Sequence, residues 1–406
     1  MKNILVITYW SFKDALIQTY TLPYVRIIRE YLPPGSKIYL LTQEKDHDVL
    51  KGEKYDEIIA AIPEGIEWLP VAYHPFGVQA IVRWTMNIAK LFFMIFSKKI
   101  SVIHAWATPA GAIGYLLSIA TGRRLVIDSY EPHAEAMVEN GTWKRNSFAF
   151  RILFWLERRQ SKRASAVISA TQGMRQYSLS KYGFVPDHFF VKPACVDLTL
   201  FSDKNIKRPD LVQSLGLYDK IVCVYAGKFG GIYLDHEVFD LLKHAHRHWG
   251  GKLRVLLLTS HSQQEVDDFC DHAGVDKSIV ITKFVPHASI PDYMGLADFA
   301  LTPVKPVPTK KYCTPIKDGE YWALGLPVII SRDISDDSEI IRANNIGAVI
   351  DNYDQAHFSS AFAAIDRLLE EPADIRYARI RAIAEKYRNF SVAHEAYQGV
   401  YSGDFK

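Results

Sequence analysis

Short apolar, β-branched runs alternate along this chain with longer stretches in which apolar positions recur every three or four residues. In the first half the runs predict strands at 3–8, 37–42, 57–62, 101–105, 124–128, 166–169 and 189–192. The stretches between them predict helices at 16–31, 79–96, 109–121, 148–164 and 172–182. The pattern restarts after Arg208-Pro209-Asp210, a polar, turn-rich stretch read here as a linker. Strands follow at 221–226, 253–259, 278–282, 299–302, 327–331 and 348–350, with helices at 237–247, 263–273, 290–295, 319–324, 338–344 and 356–370. A last helical region from 373 onward, ending in FSVAHEAYQGVY, has no strand after it. Continuous apolar strands alternating with helices indicate parallel sheets covered on both faces. The expected class is α/β, with two doubly wound, Rossmann-like domains at 1–205 and 206–380 facing a central cleft.

Composition changes this picture little. The 406 residues are 49% hydrophobic and 23% charged, which excludes disorder and low-complexity classes. The net charge of +3 divides unevenly, with 24 Lys/Arg against 17 Asp/Glu in residues 1–200 and 24 against 28 in the rest. An excess this small predicts no nucleic-acid partner. Cys195, Cys223, Cys270 and Cys313 lack zinc-ligand spacing and read as reduced thiols of a cytoplasmic protein. No metal site is predicted. Asp46-His47-Asp48 sits in a charged turn and reads as a solvated loop, and His244 and His248 share a helix face with no third ligand in sight.

The N-terminus runs straight into a strand without a leader pattern. Between Lys99 and Arg123 lie 23 uncharged residues, enough to span a bilayer, but the polar Thr-Pro-Ala-Gly turn in mid-segment favours strand–turn–helix. Residues 148–163 carry Arg151, Arg158, Arg159, Lys162 and Arg163 against Glu157 alone. With the apolar, basic 81–99 helix, they suit either peripheral contact with the anionic inner face of a membrane or a core helix with a solvated side.

Chemistry enters through what is missing and one dense string. After the first strand stands ITYWSFKD, so no glycine fingerprint for a dinucleotide is present; a Walker loop and a nucleophile elbow are absent too. The string TPIKDGEYWALGLPVIIS, residues 314–331, opens a helix with Thr314, able to cap, and Pro315, which needs no donor. The amides that follow would favour a phosphate, and Lys317 adds a cation. Glu320 lies one turn on, on the same face, able to accept bonds from sugar hydroxyls.

This string resembles the donor-binding element of retaining glycosyltransferases of family 4, which have the two-domain GT-B fold. Their pattern, Ser-Pro-x-Lys-x-x-Glu-Tyr-x-Ala-x-Gly-x-Pro-Val, is matched at Pro315, Lys317, Glu320, Tyr321, Ala323, Gly325, Pro327 and Val328, with Thr314 for the serine. VYAGKFG is similar to the family's loop at the donor diphosphate, which designates Gly227 and Lys228. FVPHASIPDYMGLADFALTP resembles the segment passing the nucleobase, through Val285, Tyr293, Asp298 and Pro303. KPACVDLTLF, with Val196, Asp197 and Phe201, resembles the loop that ends the first domain, and FSVAHEAYQGVY resembles the closing helix, which implies that residues 381–406 pack back on the first domain. The chain departs from the pattern at Tyr312, where the first glutamate of Glu-x7-Glu would stand, and in GGIYLDHE, which lacks a second basic residue after Lys228.

The resemblance implies a nucleoside-diphosphate-sugar donor, bound by Gly227, Lys228, Val285, Thr314, Pro315, Ile316, Lys317 and Glu320, with no further cofactor. It implies transfer, with retention, to a saccharide or lipid-linked acceptor in surface polysaccharide or glycoconjugate synthesis. Lys228, Lys317 and His133 are the expected catalytic residues. On the acceptor side IDSYEPHAEAMVENGTWKR keeps Asp128 and Glu135 of the family pattern, with Tyr130 where arginine is common. Lys13, His133 and Glu135 are the acceptor-side candidates, and His104 is a rival to His133. A non-catalytic sugar-nucleotide-binding protein and a nucleotide-sugar epimerase remain the alternatives.

Overall fold

The apolar runs form two wholly parallel sheets in the computed structural model, which describes residues 2–14, 16–74 and 78–402. The first sheet comprises β1 (Asn3–Ile7), β2 (Ile38–Glu44), β3 (Ile66–Ala72), β4 (Ile100–Trp106), β5 (Arg124–Tyr130), β6 (Ala166–Ser169) and β7 (Phe189–Val191), in the order 3-2-1-4-5-6-7. The second comprises β8 (Ile221–Ala226), β9 (Leu253–Leu258), β10 (Val280–Lys283), β11 (Phe299–Thr302), β12 (Val328–Ser331) and β13 (Gly347–Ile350), in the order 10-9-8-11-12-13. Each is the doubly wound order, which reverses direction beside its first strand. The reversal opens a crevice at the carboxyl ends of β1 and β4 in one sheet and of β8 and β11 in the other.

Helices cover both faces. Along β8, Cys223 and Tyr225 enter one core while Val222, Val224 and Ala226 enter the other, as a strand buried on both sides requires. The chain divides into two compact units, Met1–Pro193 with Ser391–Lys406, and Ala194–Phe390. The first cut precedes residue 205 because Val196 and Phe201 are buried in the core of the second unit. The second falls after the Ala373–Arg388 helix, which packs in the second unit, while Tyr397 and Tyr401 of the Phe390–Ser402 helix are buried in the first.

Two local expectations are corrected. Residues 57–62 lie not in a strand but mainly in the Glu53–Ala61 helix, whose first turn carries Glu53 and Asp56; Ile58 is buried and Ile59 exposed. The strand is β3, disguised by Pro70, which an edge strand tolerates because one of its sides needs no partner. Pro209 begins a short helix, Pro209–Ser214, within the second unit rather than a linker.

Candidate functional site

In the second unit two chain segments meet at the β8/β11 crevice. After Ala226 the chain turns through Gly227, where a Cβ would lie 2.6 Å from Tyr225 Oη and 3.2 Å from Lys317 Cε. Only glycine lets the lysine lie so close against this turn. Tyr225 Oη donates to the Lys228 carbonyl (2.6 Å) and the Phe229 N–H to His261 Nε2 (3.0 Å). Backbone bonds from Leu234 to Pro303 and from Lys305 to Ile232 complete the fixing of this loop, on which the Lys228 side chain stands exposed.

The second segment is the Ile316–Ala323 helix that follows β11. Its N-cap position is Pro315, and no side chain caps it. Thr314, expected to cap, lies one residue earlier and accepts a bond from Ser335 Oγ (3.3 Å) instead. The helix therefore presents an uncapped, electropositive end. Lys317 extends from its first turn, half-buried, with its ammonium 5.7 Å from the Tyr233 ring centre. Neither Lys228 nor Lys317 forms an ion pair among the described residues. Glu320 follows one turn on; burial pushes its carboxyl up to about 7, against the opposing pull of Lys317. The Ala226 N–H donates to Tyr321 Oη (3.1 Å) and so ties the helix to the end of β8. Val285 and Ile316 pack against one shared apolar core beneath these groups.

Behind the helix runs a buried polar chain. Thr302 donates to Asp318, Asp318 and Asp337 are hydrogen-bonded to each other, and Arg388 pairs with Asp337. Burial raises both carboxyls, and Arg388 opposes this. Gly319 admits this packing, since a Cβ there would meet Val196 Cγ2 at 2.7 Å. Tyr225, Tyr233, His261 and this carboxylate pair escape sequence reasoning. Asp318 reads in sequence as an ordinary first-turn acid, and nothing local marks it as buried.

The first unit places its candidates differently. Lys13 lies in the loop after β1, which is bonded to the end of β2 through Ser11 and Phe12, and is exposed, 4.0 Å from Glu57. His133 opens the His133–Glu139 helix, partly exposed, with Nδ1 3.5 Å from Glu131. Glu135, nearly buried, is held by Arg145 (3.3 Å) and Lys181 (3.4 Å). Tyr130 is buried and donates to the Glu157 carbonyl (2.9 Å). The rival His104 is wholly buried between Tyr401 Oη (2.6 Å) and Asp128 (3.2 Å). Asp128 also receives Tyr397 Oη (2.6 Å) and lies 3.3 Å from Lys192, whose ammonium sits 3.6 Å over the Tyr24 ring. Burial alone would raise the Asp128 carboxyl, yet Lys192 and His104 hold it down at about 2. Non-glycine residues with left-handed backbone, Ala107 (φ 64°) and Ser129 (φ 50°), mark the carboxyl ends of β4 and β5.

The bland readings elsewhere have partners to match. Lys54 pairs with Asp46 (3.1 Å), and His248 pairs with Asp366 (2.6 Å) while His244 packs on Phe358. The four cysteines are free thiols.

Two family models match the chain. Residues 51–195 match a glycosyl transferase 4-like domain, and residues 307–380 match the C-terminal domain of glucosyltransferase 3-like proteins. No curated protein matches it in sequence. Among solved structures it is similar to Anabaena HepE in complex with UDP (TM-score 0.71, 16% identity, 98% of this chain and 99% of that one). It is also similar to sucrose-phosphate synthase of Thermosynechococcus elongatus (TM-score 0.70, 15% identity, 99% and 98%). A glycosyltransferase from Rickettsia africae gives a TM-score of 0.69 at 14% identity over 99% and 98%. The fold is GT-B.

Proposed function

We propose that the chain, which carries a 4-like domain on this frame, is a family-4-like glycosyltransferase that moves a hexose from a nucleoside diphosphate to a saccharide or lipid-linked acceptor with retention. One observation carries the reading: Lys317 lies against Gly227 at the β8/β11 crevice, beside an uncapped helix end. As the glycosidic bond to the donor breaks, negative charge grows on the leaving diphosphate. Lys228, Lys317 and the Ile316–Ala323 amides meet it with charge already in position, a role a divalent ion would otherwise fill. Glu320 accepts from the ribose hydroxyls, Val285 lies along the base, and Thr314 and Pro315 set the entry to the helix. In the first unit His133 is the polar group of the reacting centre, with Lys13 and Glu135 orienting the acceptor. HepE binds UDP and UDP-glucose, which makes UDP-glucose the first donor to offer this chain. Surface glycoconjugate synthesis at the cytoplasmic side of a membrane suits such a donor and acceptor; no helix among the described residues is long and apolar enough to cross one.

A thermal-shift screen of nucleoside diphosphates and their sugars tests the donor class, because a ligand bound only by the folded form raises its stability. A shift of several degrees for one base is expected; no shift for any would remove the assignment. NMR of the product anomer tests retention. Tyr312, standing in place of a glutamate, favours a second reading as a non-catalytic binder. Calorimetric donor binding with no transfer across a broad acceptor panel would select it. An epimerase would release no nucleoside diphosphate when acceptor is added.

A further inference from the structure

Among the described residues, the first unit carries a surface that is apolar and basic together. Between Glu67 and Asp128 the chain holds no carboxylate side chain, and this stretch supplies the Val78–Ser97 and Ala107–Thr121 helices. The latter packs against both the former and the Phe148–Arg163 helix, so the three lie side by side. On the third helix the single acid, Glu157, is buried and bonded to the Ala134 N–H (2.7 Å).

What these helices show to solvent is apolar in rows. On the first, Val82, Met86, Phe93 and Phe96 are exposed at the spacing of one helical stripe, opposite the buried Leu91 and Ile95. On the third, Phe148, Ile152 and Trp155 form a second stripe at the same spacing, which Arg159 and Lys162 continue. Leu116 and Ile119 of the middle helix are exposed as well. Phe93 is 70% exposed and Phe148 78%, far too much for side chains that serve a core. Cations border the rows: the Arg123 guanidinium lies 5.6 Å over Phe96 and that of Arg159 5.4 Å over Trp155. Beyond the end of the third helix the positive charge continues into a recess of about 650 Å³ walled by Arg124, Arg158, Lys162 and Arg163, with Asp187 its one carboxylate.

An interface with a protein would mix charge signs at its rim, and a face built for water would not expose aromatic rows. Aromatic and aliphatic rows bordered by cations, on helices lying in one layer, match a leaflet that offers acyl chains beneath anionic phosphates. We infer that the face formed by these three helices is a docking surface for an anionic phospholipid bilayer, with Phe93, Phe148 and Trp155 entering the headgroup boundary. This deepens the proposed function, since it would hold the enzyme where a lipid-linked acceptor resides. The contact itself needs no sugar nucleotide.

The test is flotation of the full chain with vesicles of phosphatidylcholine, alone or with about 30 mol % phosphatidylglycerol, without donor. Strong binding to the anionic vesicles is expected, weakened when salt is raised from ~0.15 M to ~0.5 M. R151Q/R159Q/K162Q should lower the partition by about a hundredfold, and F93S/W155S by roughly tenfold. UDP thermal shifts identical to the parent's would show that both variants fold. Equal binding to neutral and anionic vesicles, no binding to either, or an unchanged triple variant would overturn the inference. So would sedimentation velocity showing a dimer that F93S/W155S dissolves, because a second copy would then own the face. If UDP shifts no form while anionic vesicles still capture the parent, the donor reading fails and this one stands.

Discussion

The carboxyl ends of β1/β4 and β8/β11 are the same crevice built twice, and they treat charge in opposite ways. In the first unit the nearby lysine, Lys192, is sealed under aromatic rings and cancelled by Asp128. In the second, Lys317 reaches across a glycine and Lys228 stands in solvent, with no carboxylate paired to either among the described residues. Topology thus supplies a place for a ligand, and the side chains decide whether an anion is welcome there. One crevice uses its cation to hold the fold together; the other leaves two without a carboxylate partner among the described residues, as the proposed donor role requires.

The contrast breaks first at Asp128. D128N removes the partner of a buried lysine and should cost about 3–5 kcal/mol of stability, read by urea titration, while leaving the donor affinity of the remaining folded protein intact. Because the folded Asp128 carboxyl sits at about 2, below its ordinary value near 4, its contribution is complete above ~pH 4 and disappears as pH falls toward 2. D128N should flatten that acid limb. If its stability equalled the parent's at pH 7, the ion pair would not be structural.

K317A should do the reverse. Its fold should survive, while transfer falls by about 2–4 kcal/mol of transition-state stabilisation, measured as kcat/KM with the true donor. Unchanged turnover in both K317A and K228A would remove the charge-based role of this crevice. G227A should come next, at about 1–3 kcal/mol, since the new methyl must displace Tyr225 Oη and with it the bond to Lys228. A donor KM unaltered in G227A would mean that the turn does not hold the lysine.

The smallest expected effect is at Glu320. The folded protein binds this proton more tightly than the unfolded chain does, so the unliganded protein loses stability as pH rises from ~4.5 through about 7. E320Q should raise Tm at pH 8, leave it nearly unchanged at pH 4.5, and weaken nucleotide binding at the higher pH. A parent Tm independent of pH over this range would place Glu320 in water.

The two units were also unequally legible from sequence. In the second, β8 and β11 fall where the apolar runs predict them, and the 314–331 string opens a helix that carries Lys317 and Glu320 in its first turns, as its local pattern predicts. The exception is Thr314, a plausible cap displaced by the residue after it. In the first unit Pro70 hid an edge strand and the Ile58-Ile59 pair imitated one, because periodicity over a few residues carries no information about sheet edges. His104 looked like a candidate because its partners, Asp128 and Tyr401, lie 24 and 297 residues away. Asp318 and Asp337 were invisible for the same reason: Arg388, which pairs with Asp337, lies 51 residues from it, and neither acid announces the other.

Tyr397 and Tyr401 belong to the first unit but follow the whole of the second along the chain. During translation, then, the older half of the protein must wait, its Asp128 and His104 without their phenols, until some two hundred further residues have left the ribosome. A chain interrupted anywhere in the second unit would lack both phenols and leave the buried His104 and Asp128 without those hydrogen bonds.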